Sequence, residues 1–357
     1  MHSLITLDDI LAARDRIAGV AVRTPLLRLD SARLQTAGFA LPENAPAIYL
    51  KNEAAQPIGS FKLRGAYNNI AALAQRDPEA LRRGVITFSS GNHAQGVAYA
   101  ARALGTRAVI VMPNNAPEVK RKATEALGAE IVTVGPASTE RRLKAEELVA
   151  EHGYAMVPPY DDEFIIAGQA TCGLEIFEQL AAIDTAMAPT TLVLSPVSGG
   201  GLLSGTATGV KLASEADGRT PPQVWGCEPE LAADARESFY SKQLVEWPAT
   251  STSRTLADGL RTQSLGERNF AHILGFVDGI VTVTEDEIRY ATRLILAATD
   301  IVAEPSGAVT LAAALFHADQ LPRTERIVAV VSGGNLDPAL RVVLERENAT
   351  EPASAHV

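Results

Sequence analysis

The residue whose position suggests chemistry most directly is Lys62. It comes after an apolar, strand-like run at 47–51 and a turn marked by Gly59, and it stands just before a helical pattern at 66–73. Lys62 is therefore predicted to lie near the first turn of a helix. The N–H groups of that turn carry partial positive charge, which disfavours a cation there. The cost disappears if the amine is neutral, for instance when it is joined to an aldehyde as a Schiff base.

A solvent-exposed lysine is the ordinary alternative, and three further stretches weigh against it. Each is a polar or glycine-rich turn after an apolar, strand-like run, and the turns lie at 89–93, 198–202 and 332–335. In the second turn, three successive glycines before a helix allow backbone N–H groups to surround an anion, and phosphate is the natural ligand. This run matches neither the dinucleotide fingerprint nor a P-loop, and a merely tight strand-to-helix turn is the alternative.

The elements that must position these residues are apolar strands that alternate with amphipathic helices. The predicted strands lie at 47–51, 85–88, 108–112, 130–134, 191–197, 224–227, 279–283 and 327–331. Such alternation is typical of parallel sheets that helices cover on both faces. Ligands of open α/β sheets bind at the carboxyl ends of the strands, which is where the three turns are predicted to lie.

Composition excludes several classes of function. The chain has 357 residues, which is enough for about two domains and a sizeable core. Its formal net charge of −10 argues against a nucleic-acid partner. We find neither a signal pattern at the N-terminus nor an apolar run of about 20 residues, so no membrane partner is expected. Two distant cysteines, Cys172 and Cys227, cannot make a disulfide framework, and a reducing, cytoplasmic location is expected.

Taken together, the lysine segment and the three turns resemble the fold-type-II pyridoxal-phosphate enzymes, the tryptophan-synthase-β family, and within it the threonine/serine dehydratase and serine racemase branch. The resemblance covers residues 5–340. It implies an α/β fold with two open, mostly parallel twisted sheets flanked by helices, an active site between a large and a small domain, and a homodimer. The large, cofactor-binding domain would comprise 1–57 and 161–345, and the small, mobile domain 58–160. Residues 346–357 are expected to form a disordered tail.

The resemblance also implies how pyridoxal 5′-phosphate is held. Lys62 matches the family's Schiff-base lysine, and Phe61 matches the residue that packs beside the cofactor. Asn92 matches the asparagine that hydrogen-bonds the 3′-oxygen of the pyridine ring, and Ser332 matches the serine that faces the ring nitrogen. The phosphate loop corresponds to Ser198, Gly199, Gly200, Gly201 and Leu202. A hydroxyl at the ring nitrogen, rather than an aspartate, would leave that nitrogen unprotonated and the ring a weaker electron sink, which suits elimination.

A second group of residues resembles the substrate site. The loop that cradles the substrate carboxylate corresponds to Ser89, Ser90, Gly91, Asn92 and His93. In the racemase branch a serine at Ser90 faces the substrate Cα from the side opposite the lysine, whereas a loop hydroxyl that bonds nearby backbone is the alternative. Arg141 matches an arginine that reaches the distal polar group of the substrate. A helix-surface arginine is the alternative there.

A cation site is implied further along the chain. Glu228, Asp234 and the backbone carbonyl of Ala232 resemble the divalent-cation site of the serine-racemase branch. Oxygen ligands of this kind suit Mg²⁺ or Ca²⁺, and Mn²⁺ is a further candidate. Without the resemblance, a solvated acidic loop is the better explanation, since acids six residues apart are common.

Three functional hypotheses follow. The leading one is a dehydratase, or ammonia-lyase, that converts L-threonine or L-serine to a 2-oxo acid and ammonia, with Lys62 as the general base at Cα. In the second hypothesis the chain binds the same cofactor but catalyses a different reaction, either as serine racemase or as a 3-hydroxyaspartate ammonia-lyase, in which Ser90 and Arg141 have roles. The third is a catalytically inactive α/β binding protein, against which the intact Lys62, Asn92 and Ser332 argue.

Overall fold

The computed structural model describes residues 3–39, 41–42, 45–116, 118–135, 138–184 and 190–350. Its strands are β1 (Leu26–Arg28), β2 (Ala47–Asn52), β3 (Val85–Phe88), β4 (Ala108–Pro113), β5 (Glu130–Val134), β6 (Ala155–Met156), β7 (Thr191–Pro196), β8 (Gln223–Pro229), β9 (Gly279–Val283) and β10 (Arg326–Val331). Its helices are α1 (Leu7–Ile17), α2 (Ser31–Thr36), α3 (Lys62–Arg76), α4 (Pro78–Arg83), α5 (Asn92–Ala103), α6 (Glu118–Ala126), α7 (Ser138–His152), α8 (Glu163–Ile183), α9 (Gly201–Ala216), α10 (Asp234–Ser241), α11 (Ala249–Thr252), α12 (Glu267–Phe276), α13 (Glu285–Ala298), α14 (Pro305–Phe316) and α15 (Pro338–Thr350). Within these ranges, no helix is both long and apolar enough to cross a membrane.

The larger sheet has six strands in the order β1-β2-β10-β7-β8-β9. Neighbouring strands run parallel, except that β1 is antiparallel to β2. Every residue of β10 is buried, because α13 and α14 cover one face of the sheet while α9 and α12 cover the other. A continuous apolar run is what a strand needs when both of its faces are covered.

The smaller sheet has four parallel strands in the order β5-β4-β3-β6. Helices α3 and α5 pack on one face and α7 on the other. The predicted fold, two mostly parallel sheets flanked by helices, is therefore confirmed. The short strands β1 and β6 were not predicted, since they have only 3 and 2 residues and no clear period.

The two sheets draw on different parts of the chain. Strands of the larger sheet come from 26–52 and 191–331, and strands of the smaller sheet from 85–156. The domain boundaries expected near 57 and 160 stay predictions. The expected tail needs a correction, because α15 continues to Thr350, so 346–350 are helical; residues 351–357 lie outside the described residues.

Arg64, two residues after Lys62, is the centre of a buried network of charges. Its guanidinium donates to both carboxylate oxygens of Glu53 at 2.8 Å and to those of Glu175 at 2.7 and 2.9 Å. Lys51 Nζ also pairs with Glu175, at 2.6 Å, and donates to the carbonyl of Thr24. Burial opposes ionisation of Glu53, but the adjacent Arg64 outweighs it and lowers the pKa of Glu53 to about 2. Two cations and two anions therefore compensate each other where α3 begins.

Removing one member of this network should be costly. Arg64→Met leaves two buried carboxylates with Lys51 alone, so the free energy of unfolding should fall by about 3–5 kcal/mol. Arg142→Met is the matched control: Arg142 pairs with Glu146 on the exposed face of α7, with 51% and 49% of the two side chains exposed, and its loss should cost only about 0–1 kcal/mol. Denaturant unfolding of both variants gives the comparison, and equal losses would contradict the role assigned to the network.

Candidate active site

Lys62 is the first residue of α3, where segments that follow strands of the two sheets meet. Its Nζ donates to the backbone carbonyl of Pro159 at 2.8 Å and lies 5.2 Å from the centre of the Phe61 ring. The helix start has no side-chain cap and no acid in its first turn. Burial lowers the pKa of Lys62 to about 8, which increases the fraction of neutral amine near neutral pH. A neutral amine is the form that attacks a carbonyl group.

The segment before Lys62 is joined to the turn after β10. Ser60 and Gly333 form an isolated antiparallel bridge, the Phe61 N–H donates to the carbonyl of Ser332 at 3.1 Å, and the Gly334 N–H donates to that of Gly59 at 2.8 Å. The hydroxyl of Ser332 makes a long hydrogen bond, 3.4 Å, to the backbone carbonyl of Ser306. Two residues predicted to act together, Lys62 and Ser332, are thus brought to the same place.

Asn92 begins α5 and contacts two residues that the sequence did not single out. Its Nδ2 donates to Glu304 Oε1 at 2.7 Å, and its Oδ1 accepts from Asn335 Nδ2 at 2.7 Å. Asn335 lies in the predicted turn at 332–335, but nothing in the sequence indicated its partner. Glu304 precedes Pro305 at the start of α14 and looks like an ordinary helix N-terminus. Sequence separations of 212 and 243 residues hide both contacts.

The turn at 89–93 combines backbone N–H groups with small side chains. Ser89 Oγ accepts from the Gly91 N–H at 3.3 Å, and Ser90 is partly exposed beside it. Helix α5 starts without a side-chain cap and without an acid in its first turn, so its N–H groups can bind an anion such as a carboxylate. His93 is buried against the carbonyl of Val157, and burial, helped by the charge of Lys62, lowers its pKa to about 3. His93 is therefore a neutral residue that lies near Lys62.

The predicted phosphate loop lies at the N-terminus of α9. Gly200 has a left-handed backbone, φ 97°, and the helix has neither a side-chain cap nor an acid in its first turn. A Cβ on Gly199 would stand 2.4 Å from the ring of Tyr160, so only glycine allows this close approach. Ser198 Oγ is hydrogen-bonded to Thr262, and the side chain of Leu202 is in the core. The open helix N-terminus fits a phosphate.

Tyr160 connects this loop to the lysine. It follows Pro159, whose carbonyl accepts from Lys62, and its ring packs on Gly199. Burial raises the pKa of Tyr160, and the charges of Asp161 and Asp234 add to the effect. Tyr160 therefore packs on the predicted phosphate loop and directly follows the residue that Lys62 contacts; sequence reasoning missed it, since no motif marks it.

Arg141 lies in the first turns of α7, on the side that faces the smaller sheet. It is spaced four and seven residues from Ala145 and Leu148, which pack on that sheet. Its Nε is buried without a hydrogen-bond partner, and in the part of the chain that the structure describes no carboxylate pairs with it. Burial lowers the pKa of Arg141. No contact joins it to Lys62 or Ser90 in those residues.

The predicted cation site contains two buried acids. Glu228, in β8, accepts from the N–H groups of Ala235 and Arg236 at 3.0 and 2.8 Å. Asp234 Oδ2 is buried without a partner. Burial raises the pKa of Asp234 to about 7, and burial together with the nearby charge of Asp234 raises that of Glu228.

This donor set fits a cation only in part. Among the described residues no group of three or more His, Cys, Asp and Glu side chains has metal-binding geometry. A third ligand would have to come from the backbone, and Ala232, in the turn between Glu228 and Asp234, is the residue that was predicted. A bound cation would give the unpartnered oxygen of Asp234 a partner and would offset the repulsion between the two buried carboxylates.

Comparisons with known proteins identify the family. A family model described as "Pyridoxal-phosphate dependent enzyme" matches residues 17–333. The chain is similar to the L-threo-3-hydroxyaspartate ammonia-lyase of Saccharomyces cerevisiae, with 36% identity over 334 residues, 93% of this chain and 94% of the relative. It is also similar to the serine racemase of Schizosaccharomyces pombe, with 36% identity over 336 residues, 94% of this chain and 95% of the relative.

A solved structure gives the same result for the fold. A threonine deaminase from T.th. superimposes with a TM-score of 0.82 at 42% identity, and the match covers 93% of this chain and 99% of that one. The match of the family model and the identity over nearly the whole length establish the family. The chain belongs to the pyridoxal-phosphate dependent enzymes, with threonine deaminase, serine racemase and hydroxyaspartate ammonia-lyase among its relatives.

Proposed function

We propose that this chain is an ammonia-lyase that converts L-threonine or L-serine to a 2-oxo acid and ammonia. The observation that carries the proposal is Lys62: a half-buried amine with its pKa lowered to about 8, at an uncapped helix start beside Ser332. The similarity to threonine deaminase, at 42% identity, supports this choice of substrate. The enzyme would act as a homodimer, as the resemblance of the sequence implies, and in the cytoplasm, as its two distant cysteines lead us to expect.

Five parts of the chain would hold pyridoxal phosphate. The N–H groups of 198–202 would bind its phosphate, Lys62 its aldehyde carbon, Asn92 its 3′-oxygen and Ser332 its ring nitrogen, with Phe61 beside the ring. The N-terminus of α9, which has no side-chain cap and no acid in its first turn, fits the phosphate of this group. When bound, pyridoxal phosphate withdraws electrons from the Cα of an amino acid and makes its proton acidic.

The chain's own residues then bind the substrate and move its protons. The N–H groups and hydroxyls of 89–93 would hold the substrate carboxylate at the start of α5. Lys62 Nζ would take the proton from Cα, because a base with a pKa of about 8 is matched to neutral pH. Loss of the β-hydroxyl removes one water, and hydrolysis adds one, so each amino acid gives one 2-oxo acid and one ammonia.

A second candidate substrate is favoured by Arg141. A guanidinium with a buried, unpartnered Nε is costly unless an anion binds it, and a carboxylate on the substrate would supply that anion. The corresponding activity is 3-hydroxyaspartate ammonia-lyase, the activity for which one relative is named. Ser90, if it returns a proton to Cα from the face opposite Lys62, would give racemisation of serine instead.

Product analysis on a panel of amino acids tests the proposal. The panel comprises L-threonine, L-serine, D-serine and the threo and erythro 3-hydroxyaspartates, with 2-oxo acid release and chirality of the unreacted amino acid measured together. Release from L-threonine or L-serine without inversion is expected. Lys62→Ala should lower turnover by about 10²- to 10⁴-fold or more because the base is lost. Lys144→Ala should not change it, because Lys144 is a partly exposed lysine that pairs with Glu147.

Arg141→Met distinguishes the two substrates. If hydroxyaspartate is turned over, the variant should lower its kcat/KM by about 10- to 100-fold, the value of a hydrogen bond between charged groups, and leave threonine unchanged. Arg142→Met, on the exposed face of the same helix, is the control. Inversion of serine, or turnover confined to hydroxyaspartate, contradicts the leading proposal, and a protein without any turnover supports the inactive binding protein.

Gly200→Ala tests the phosphate loop. A Cβ at φ 97° would meet the Cβ of Asn269 at 2.8 Å, so the loop must shift and the dissociation constant for pyridoxal phosphate should rise about tenfold or more. Gly218→Ala is the matched control, because Gly218 also has a positive φ, 70°, but open space around it. Both should lose about 1–2 kcal/mol of stability from backbone strain. Equal cofactor affinity in the two variants would contradict the assignment.

Glu228, Asp234 and the Ala232 carbonyl would hold a divalent cation, Mg²⁺ or Ca²⁺. Binding should raise the midpoint of thermal unfolding of protein first treated with a chelator, because a cation offsets two buried acids. Asp234→Asn, which keeps the shape and removes the charge, should lose this response. Identical melting curves with and without either cation would contradict the site.

A further inference from the structure

The side-chain amide of Asn92 is held from two sides, and these contacts determine which way it points. An asparagine amide offers two N–H donors and one oxygen. The backbone carbonyl of Ile58 can only accept a hydrogen bond. The side-chain amide of Asn335 must therefore turn its Nδ2 towards that carbonyl, at 2.9 Å. The other N–H of Asn335 then donates to Asn92 Oδ1 at 2.7 Å. Asn92 must therefore present its oxygen to Asn335 and its nitrogen elsewhere.

The nitrogen of Asn92 faces a carboxylate. Nδ2 donates to Glu304 Oε1 at 2.7 Å, and Glu304 is only 4% exposed. The Glu304 backbone N–H donates to the carbonyl of Gly333 at 3.0 Å, so the acid is held against the turn after β10. A Cβ on Gly333 would lie 2.5 Å from Glu304 Oε1, so glycine is required for the carboxylate to reach Asn92.

Most of the hydrogen-bonding capacity of the Asn92 amide is used within the protein. One N–H of Asn92 is taken by Glu304 and the oxygen is taken by Asn335, which leaves one N–H. With this orientation, the remaining N–H of Asn92 is a donor for a ligand atom that accepts. The 3′-oxygen of pyridoxal phosphate is an acceptor of this kind, whereas a flipped amide would present its own oxygen and repel it.

We propose that Glu304 and Asn335 are positioning residues, which hold the Asn92 amide so that its free N–H donates to the 3′-oxygen of the cofactor. The inference rests on the proposed role of Asn92 and deepens it. Neither residue has to touch the cofactor for the effect, because each acts through Asn92. Asn335 also connects Asn92 to Ile58, so the same contacts join α5 to the segment that leads to Lys62.

The surroundings of Glu304 add a dependence on pH. Burial raises its pKa from an ordinary 4.5 to about 7, the charge of Asp258 adds to this, and the charge of Lys120 and the hydrogen bond from Asn92 oppose it. Lys120, on α6, forms an ion pair with Asp258. Because the folded state binds this proton more tightly than the unfolded state does, protonation of Glu304 stabilises the fold. This contribution to the free energy of unfolding is fully present below pH 4.5 and is lost as pH rises through about 7.

Cofactor affinity of the apoenzyme tests the proposal, measured by absorbance titration with pyridoxal phosphate and no amino acid. Asn335→Asp, which keeps the shape but replaces the donor by an acceptor, should raise the dissociation constant about tenfold, the value of one hydrogen bond, and so should Glu304→Ala. Glu304→Gln is the conservative control. Its amide oxygen can still accept from Asn92, so the dissociation constant should stay within about threefold.

Two further measurements separate positioning from a general loss of structure. The pH at which the absorption band of the bound cofactor changes should shift in Asn335→Asp and Glu304→Ala but not in Glu304→Gln, because a hydrogen bond from Asn92 to the 3′-oxygen affects that ionisation and the glutamine of Glu304→Gln can still orient Asn92. Melting curves of the apoenzymes identify a variant that does not fold. If Glu304→Ala does not fold, Glu304→Asp replaces it. The aspartate keeps the carboxylate but holds it one methylene farther from Asn92, so it should show the same spectral shift.

The outcomes are distinct. As pH rises from about 5 to about 8, the melting temperature of the wild type should fall relative to that of Glu304→Gln, because the raised pKa of Glu304 makes its stabilising effect disappear over this range. Unchanged affinity and spectrum in both Asn335→Asp and Glu304→Ala would overturn the inference, provided that Asn92→Ala weakens binding. If Asn92→Ala itself leaves both unchanged, the proposed role of Asn92 is wrong, and the positioning inference is overturned with it.

Discussion

The rest of the site depends on a short antiparallel contact between the segment before α3 and the turn after β10. Two backbone hydrogen bonds and one bridge join 59–61 to 332–334. Because Lys62 follows one side of this contact and Asn335 the other, a strand end at the centre of the larger sheet determines where the amine lies. Asn92, from the smaller sheet, is held to the same place through Asn335. Three distant parts of the chain thus meet around one lysine.

The helix starts at the site differ from those of α1, α8 and α13. Helices α1 and α13 begin with capping boxes, at Thr6 and Thr284, and α8 is capped by Asp162. Helices α3, α5 and α9 have neither a side-chain cap nor an acid in the first turn. Their N–H groups are therefore available to ligands, and their dipoles favour negative charge. A cofactor phosphate and a substrate carboxylate are anions that suit such helix ends.

Much of this architecture could be predicted from sequence, because it depends on local patterns. Continuous apolar runs predicted the central strands, and the glycines of 199–201 marked the turn that leads into α9. Lys62 attracted notice because a cation is unfavourable at a helix start. What could not be predicted depends on contacts between distant residues. Glu304 looks like an ordinary residue before a proline until the fold brings it to Asn92, and the unpaired Nε of Arg141 becomes visible only when its neighbours are known.

The central claim is that Lys62 carries the cofactor, and reduction of the holoenzyme tests it most directly. Borohydride converts a bond between a lysine amine and pyridoxal phosphate to a stable one, and peptide mass spectrometry then identifies the labelled residue. The account predicts a label on Lys62 and none on Lys51, whose amine is engaged by Glu175 in the interior. A label on another lysine, or none in a protein that has bound the cofactor, would contradict the account.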